Sequence, residues 1–332
     1  MLKDRGQEVS ELTLISALNA IRRNDPERGL AQAREVLDEA SNNPTDLLLL
    51  GRMSVLARKL RDADRPLKRA LELAPGSPDA WLSYIQLLAL TNRKDQAAKL
   101  VVEAGKRLSA ELGPVVQARA YELLGDQTAA GKAYQIALDR QPNSPGVLCP
   151  AAEFFARTYQ NDKAIPILER CVDPVFAAAD PLRAWARRTL ASCLMSTRNS
   201  AARTRAFKLL EINRREQPES IEDVRAQAIL TSMVPGKCAE TIRLFSELET
   251  RRGLDPREEI LLIEQLDRMG LWDQVEPRLQ KLVAADPSDP GVLAQYVDRL
   301  IRRQRVQDAA RWLGVLEKRE PAALRTIVLK QL

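Results

Sequence analysis

Four cysteines and a few paired carboxylates are the side chains best suited to chemistry in this 332-residue sequence. Cys149, Cys171, Cys193 and Cys238 lie far apart along the chain, and no Cys-x-x-Cys pair suggests a zinc or redox centre. Free cysteine is often a small buried hydrophobe, so these four are expected to fill space in a core. Histidine is absent. Its absence removes Ser-His-Asp and Cys-His catalysis, histidine metal ligation and the usual proton shuttle near neutral pH. Glu222-Asp223 and Glu258-Glu259 fall at expected helix starts, where negative charge favours the helix dipole. There is no Gly-rich phosphate loop, no Gly-x-Ser-x-Gly and no Asp/Asn calcium loop. The expectation is a non-enzymatic protein with no catalytic residue, cofactor or metal.

Charge is the second chemical feature. The formal balance is +6, and it is concentrated. Arg183, Arg187, Arg188, Arg198, Arg203, Arg205, Lys208, Arg214 and Arg215 stand against Glu211 alone. Such a patch could meet phosphate backbones, acidic proteins or anionic lipid. No aromatic residues interleave with it as stacking platforms would. Leu182, Trp185, Leu190, Cys193 and Leu194 form an apolar stripe on the opposing side, as in an ordinary amphipathic helix. A solvated face is therefore favoured, with nucleic-acid binding kept as an alternative.

The elements that carry these residues read as helices. The chain is 45% hydrophobic but only 4% aromatic and poor in glycine, a helical composition. From Pro78 to Glu111 it reads as a helix–turn–helix, with Trp81, Tyr84, Leu88, Ala97, Val101 and Ala104 at fixed offsets. The preceding unit starts at Pro44 and keeps the same register, with Gly51, Ala63, Leu67, Ala70 and Pro75. Two helices cross most closely where both carry Gly or Ala, and large residues fill the space above and below. These offsets, in units of 34 residues, resemble the tetratricopeptide repeat, here abbreviated TPR.

About nine such units cover nearly the whole chain. The first is loose, with Gly29, Ala33 and Val36 at positions twenty, twenty-four and twenty-seven. Later ones show Ala118, Tyr121, Ala130 and Tyr134, then Ala152, Phe155, Ala164 and Leu168, with Cys171 at position twenty-seven. After that the register slips, and the next unit aligns from about Arg187. The extra residues are assigned to an elongated connection around Asp173-Pro174 and Asp180-Pro181. The expected organisation is residues 1–178 with about five repeats and 179–332 with about four, plus an incomplete or capping helix. First helices open on Ser77-Pro78, Ser144-Pro145, Asp180-Pro181, Asp255-Pro256 and Asp289-Pro290, each a cap followed by a proline. The final stretch from Pro321 looks like the first helix of a further unit, so the natural protein is expected to continue beyond Leu332.

The resemblance implies an all-α fold, a right-handed superhelical α-solenoid of antiparallel helix pairs whose first helices line a concave groove. In the family that groove is reached by repeat positions two, five, six, nine, twelve and thirteen. Carried over here, they give Leu14, Ile15 and Leu18, then Leu48, Leu49 and Arg52, then Leu82, Ser83 and Gln86, then Val115, Val116 and Arg119. No three successive units carry the Lys/Asn clamp with which some members hold a C-terminal carboxylate. An amphipathic helix or extended apolar peptide suits this groove better, although several of these leucines could instead pack between repeats.

No run of about 18 apolar residues could form a membrane span, and the start is not a secretory signal peptide. A cytoplasmic chain is expected, unless it is a piece of something longer. The leading expectation for function is a protein–protein scaffold binding a peptide or helix of unknown identity. The alternatives are a nucleic-acid-binding solenoid using residues 183–215, or the recruiting arm of an enzyme encoded elsewhere.

Overall fold

The computed structural model describes residues 2–173, 180–197, 199–286 and 289–320. Among them are eighteen α-helices and no strand, and consecutive helices pair as hairpins. In order these are α1 (Leu2–Arg22), α2 (Pro26–Val36), α3 (Pro44–Leu56), α4 (Leu60–Leu73), α5 (Pro78–Leu90), α6 (Lys94–Arg107), α7 (Gly113–Leu124), α8 (Gln127–Arg140), α9 (Pro145–Arg157) and α10 (Asn161–Val172). They continue with α11 (Asp180–Met195), α12 (Ser200–Glu216), α13 (Ile221–Ser232), α14 (Cys238–Arg252), α15 (Pro256–Arg268), α16 (Trp272–Ala285), α17 (Pro290–Arg302) and α18 (Val306–Arg319). Two compact units result, Met1–Ala186 and Arg187–Leu332.

Local chemistry sets the helix starts. Asp255 and Glu258 form a reciprocal capping box at α15, and Pro256 takes the first helical position, where a missing N–H costs nothing. Asp289 and Ser77 cap α17 and α5 in the same way, ahead of Pro290 and Pro78. Ser144 precedes Pro145 but makes no side-chain cap bond. Asn43 caps α3 through Thr45 N at 3.0 Å. Within the hairpins, one left-handed residue turns the chain: Asn24, Arg58, Asn92, Gly125, Tyr159, Gly236, Gly270 and Gln304 all have φ between 57 and 80°. Only some of these are glycine, so the turn geometry is imposed by the packed helices on either side.

Close helix approach is carried by small residues. A Cβ on Gly29 would lie 2.6 Å from the backbone oxygen of Ala17, and one on Gly51 would lie 2.4 Å from Leu67 Cγ. In the first unit Ala63, Leu67, Trp81, Ile85, Leu88, Ala97, Val101, Ala104 and Val116 form one continuous core cluster. Trp81 satisfies its indole N–H on Pro75 O at 2.8 Å. In the second unit the core runs from Val224 and Phe245 through Ile263, Leu266, Val275 and Leu279 to Tyr296, Leu300 and Leu316.

The register shift has a different origin from the expected one. First helices open 34 residues apart at Pro44 and Pro78, and again at Pro256 and Pro290. Asp180 follows Pro145 by 35, so the sixth hairpin opens seven residues ahead of Arg187, which lies inside α11. The longest step is the 41 residues from Asp180 to Ile221. It reflects helices of 16 and 17 residues, where α3 and α4 have 13 and 14. Residues 174–179 and the closing stretch 321–332 lie outside the described residues.

Candidate protein-binding groove

Successive first helices of the first unit enclose a cavity of about 630 Å³. Helix α3 contributes Arg52, Val55 and Leu56, α5 contributes Asp79, Leu82, Ser83 and Gln86, α7 contributes Arg119, Glu122 and Leu123, and α9 contributes Pro150, Glu153, Phe154 and Arg157. Leu67 and Tyr134, from second helices, reach it from behind. These side chains fall together because each first helix repeats its predecessor about 34 residues on. One face of each therefore points the same way.

The polar groups are wired between neighbouring repeats. Arg52 Nε donates to Ser83 Oγ at 2.8 Å, and Arg52 Nη2 reaches Asp79 Oδ1 at 2.8 Å. Glu122 accepts from the Tyr134 hydroxyl and pairs with Arg157 one repeat later. Burial, and secondarily that bond to Glu122, push the Tyr134 phenol above its ordinary range, so it stays a donor. Its ring lies 5.1 Å from that of Phe154, which in turn stacks edge-on against Phe155 at 5.2 Å. Apolar surface is on offer at Leu56, 61% exposed, and Leu123, 39% exposed. No nucleophile stands beside a base in this cavity. It can bind, and its lining mixes apolar side chains with largely paired charges.

Of the expected groove residues, Arg52, Leu82, Ser83, Gln86 and Arg119 line this cavity. Val116 is buried in the core, and Val115 is half-buried beside it. Leu48, Leu49, Leu14 and Leu18 are half-buried and packed against core clusters. Ile15 is exposed in a separate depression with Leu12, Asn19 and Arg23. Val55, Leu56, Glu122, Leu123, Glu153 and Arg157 were not foreseen. They sit at positions nine, twelve and thirteen of their repeats, farther along the first helices than the residues read from positions five and six. The groove therefore lies toward the helix C-termini.

The basic block is mostly spent inside the second unit. Arg187 is buried, donates to Asn213 Oδ1 at 3.1 Å and pairs with Glu216. Arg188 reaches Asp223 Oδ1 at 2.9 Å, and Asn213 Nδ2 donates to the same oxygen at 2.7 Å. Arg214 pairs with Glu247 at 3.1 Å and Arg215 with Glu211 at 2.6 Å. Arg203, Arg205 and Lys208 are exposed on α12, Arg183 is half-buried in α11, and Arg198 lies outside the described residues. The carboxylate pairs are receivers for such arginines as well as caps. Glu258 takes Arg225 and Arg252, each at 2.6 Å, and Glu259 takes Arg278 at 2.7 Å.

Comparison with known proteins addresses the fold. No family model matches the sequence. The crystal structure of the APC/C hetero-tetramer Cut9-Hcn1 is similar with a TM-score of 0.58 and 13% identity, over 96% of this chain and 61% of that one. The fold is a TPR-like α-solenoid. Yeast Tom70 is similar at a TM-score of 0.45 and 12% identity, over 98% of this chain and 80% of Tom70. Among curated proteins, the Cellulose synthase operon protein C of Pseudomonas fluorescens (strain SBW25) is 27% identical over 152 residues, 42% of this chain. The TPR-like chain thus spans 12% of that relative's length and under two thirds of the Cut9 structure's. Among the described residues, no helix is long and apolar enough to cross a membrane.

Proposed function

We propose that this TPR-like solenoid is a protein-binding scaffold, and that the cavity across α3, α5, α7 and α9 receives an amphipathic segment of its partner. The observation that carries the reading is the convergence of four successive first helices on one cavity with exposed Leu56 and Leu123 at its edge. Repeats that touch only their neighbours present a long continuous face rather than an enclosed pocket, which favours a macromolecular occupant. Cut9, to which the fold is similar, is itself seen assembled with Hcn1. The arginine-rich stretch speaks against phosphate binding, because Arg187, Arg188, Arg214 and Arg215 already face carboxylates.

The test is a photo-crosslinking amino acid placed at Gln86 in the groove, compared with one at Lys68 on the opposite surface. One partner joined at Gln86 and not at Lys68 supports the groove. Equal joining at both positions, or joining at Lys68 alone, removes it.

A second reading follows from the likeness to Cellulose synthase operon protein C: the array serves an assembly that makes or exports a polysaccharide. Deleting the encoding gene and measuring exopolysaccharide tests it. Unchanged polymer would exclude that reading and leave the groove proposal standing.

A further inference from the structure

Two of the four cysteines, 22 positions apart in sequence, meet in space. Cys149 lies on α9 and Cys171 on α10, the two packed helices of one hairpin, and their thiols are hydrogen-bonded to each other. Both are free thiols. Cys171 is buried, and Cys149 is half-exposed and directly precedes Pro150 of the groove lining. Cys171 occupies the small-residue position where hairpin helices approach most closely, the separation a disulfide requires. Cys193 and Cys238 share no such contact in the described residues: one is buried in α11 and the other half-buried at the start of α14.

We propose that Cys149 and Cys171 form an oxidisable dithiol site that closes to a disulfide, tying α9 to α10, when the protein meets a peroxide. The pair is asymmetric in the way such sites need. The Cys171 hydrogen bond holds Cys149 below the usual thiol range, against burial and the nearby Glu153 carboxylate. That same bond, together with burial, pushes Cys171 up against the opposing pull of Arg170. Cys149 is thus the accessible attacking sulfur and Cys171 the buried resolving one. The Cys149 thiolate attacks one peroxide oxygen, the O–O bond breaks, and hydroxide leaves and is protonated to water. Cys149 is then a sulfenic acid. The Cys171 sulfur attacks the Cys149 sulfur, the S–O bond breaks, and the hydroxyl leaves as water with the Cys171 proton. Two thiols are oxidised and one peroxide is reduced to two waters.

The experiment uses the natural full chain, treated with dilute hydrogen peroxide while folded, then alkylated, digested with trypsin and mapped without reductant. The expected product is peptide 141–157 joined to peptide 171–183, with a mass loss of two hydrogens and no dimer. Cys149→Ser, at the half-exposed position, abolishes the joined peptide and leaves Cys171 alkylatable. Two results would overturn the proposal. In one, both thiols stay alkylatable after peroxide. In the other, Cys149 runs on to sulfinic acid while Cys171 remains free.

Discussion

Arg52 on α3 donates its Nε–H to the buried hydroxyl of Ser83 on α5 at 2.8 Å, joining two successive first helices at the floor of the groove. The same guanidinium reaches Asp79 at 2.8 Å. Positioning and binding surface are thus one feature here: the residue that lines the cavity also fixes the spacing of the helices that form it. Arg52→Met removes both bonds and leaves Ser83 short of a donor. The expected cost is about 1–2 kcal/mol, read as a lower urea midpoint with an unchanged slope. A variant as stable as the parent would show that the link is ornamental.

Asp223 is fully buried, and its Oδ1 accepts from Arg188 and Asn213, while Oδ2 has no partner among the described residues. Truncating one member of such a cluster leaves buried charge uncompensated. Asp223→Ala is expected to destabilise by about 3–5 kcal/mol. Arg203→Ala, on the exposed side of α12, is expected to stay within about 0.5 kcal/mol. Denaturant unfolding of both variants decides whether the basic block is structural in this way.

Glycine at a helix crossing differs from glycine on a helix surface. Gly29→Ala would place a methyl 2.6 Å from the Ala17 carbonyl oxygen, so α1 and α2 must separate, at a cost of about 1–3 kcal/mol. Gly314 in α18 has open space around it, and Gly314→Ala is expected to stabilise by about 0.5–1 kcal/mol. Thermal melts of the two variants should move in opposite directions. A common direction contradicts the packing account.

Acid should loosen the second unit through Glu249. Its carboxyl is held below the usual range, chiefly by hydrogen bonds from Arg278 at 3.1 and 2.9 Å. A depressed folded-state value means that the contribution is complete above the ordinary carboxylate pKa of about 4.3 and is lost as pH falls through the folded value. The parent should therefore lose more stability between about pH 7 and about pH 3 than Glu249→Gln, which has no charge to lose there. Parallel pH profiles for the two chains would remove Glu249 from the account.

The packing frame was legible from residue types alone. Gly29, Gly51, Ala63 and Ala104 occupy the close crossings, Trp81 is in the core, and the proline-led helix starts stand at Pro78, Pro256 and Pro290. The extra residues around α11 and α12 were less legible, because lengthened helices keep their apolar stripe and leave no punctuation in the sequence. The groove was half legible. Positions five and six, such as Leu48, Leu49 and Val116, are pulled into contact with neighbouring repeats, so a leucine there says as much about stacking as about binding. The inter-repeat pairs had a signal that single-helix reading misses. Arg52 and Asp79, Arg225 and Glu258, and Arg214 and Glu247 are opposite charges 27, 33 and 33 residues apart, close to one repeat length. The contact between Cys149 and Cys171 had no such signal, since it depends on the crossing point of α9 and α10.

The claim that most needs testing is that the face spanning α3 to α9 holds a partner. Leu56 and Leu123 are 61% and 39% exposed at the cavity edge, so charging them leaves the core intact. The decisive measurement is the affinity of Leu56→Asp/Leu123→Asp for the partner joined at Gln86, taken beside its thermal melt. The account predicts an unchanged melt and a loss of affinity of at least about tenfold, corresponding to about 1.4 kcal/mol. Full affinity in a folded double variant would contradict it.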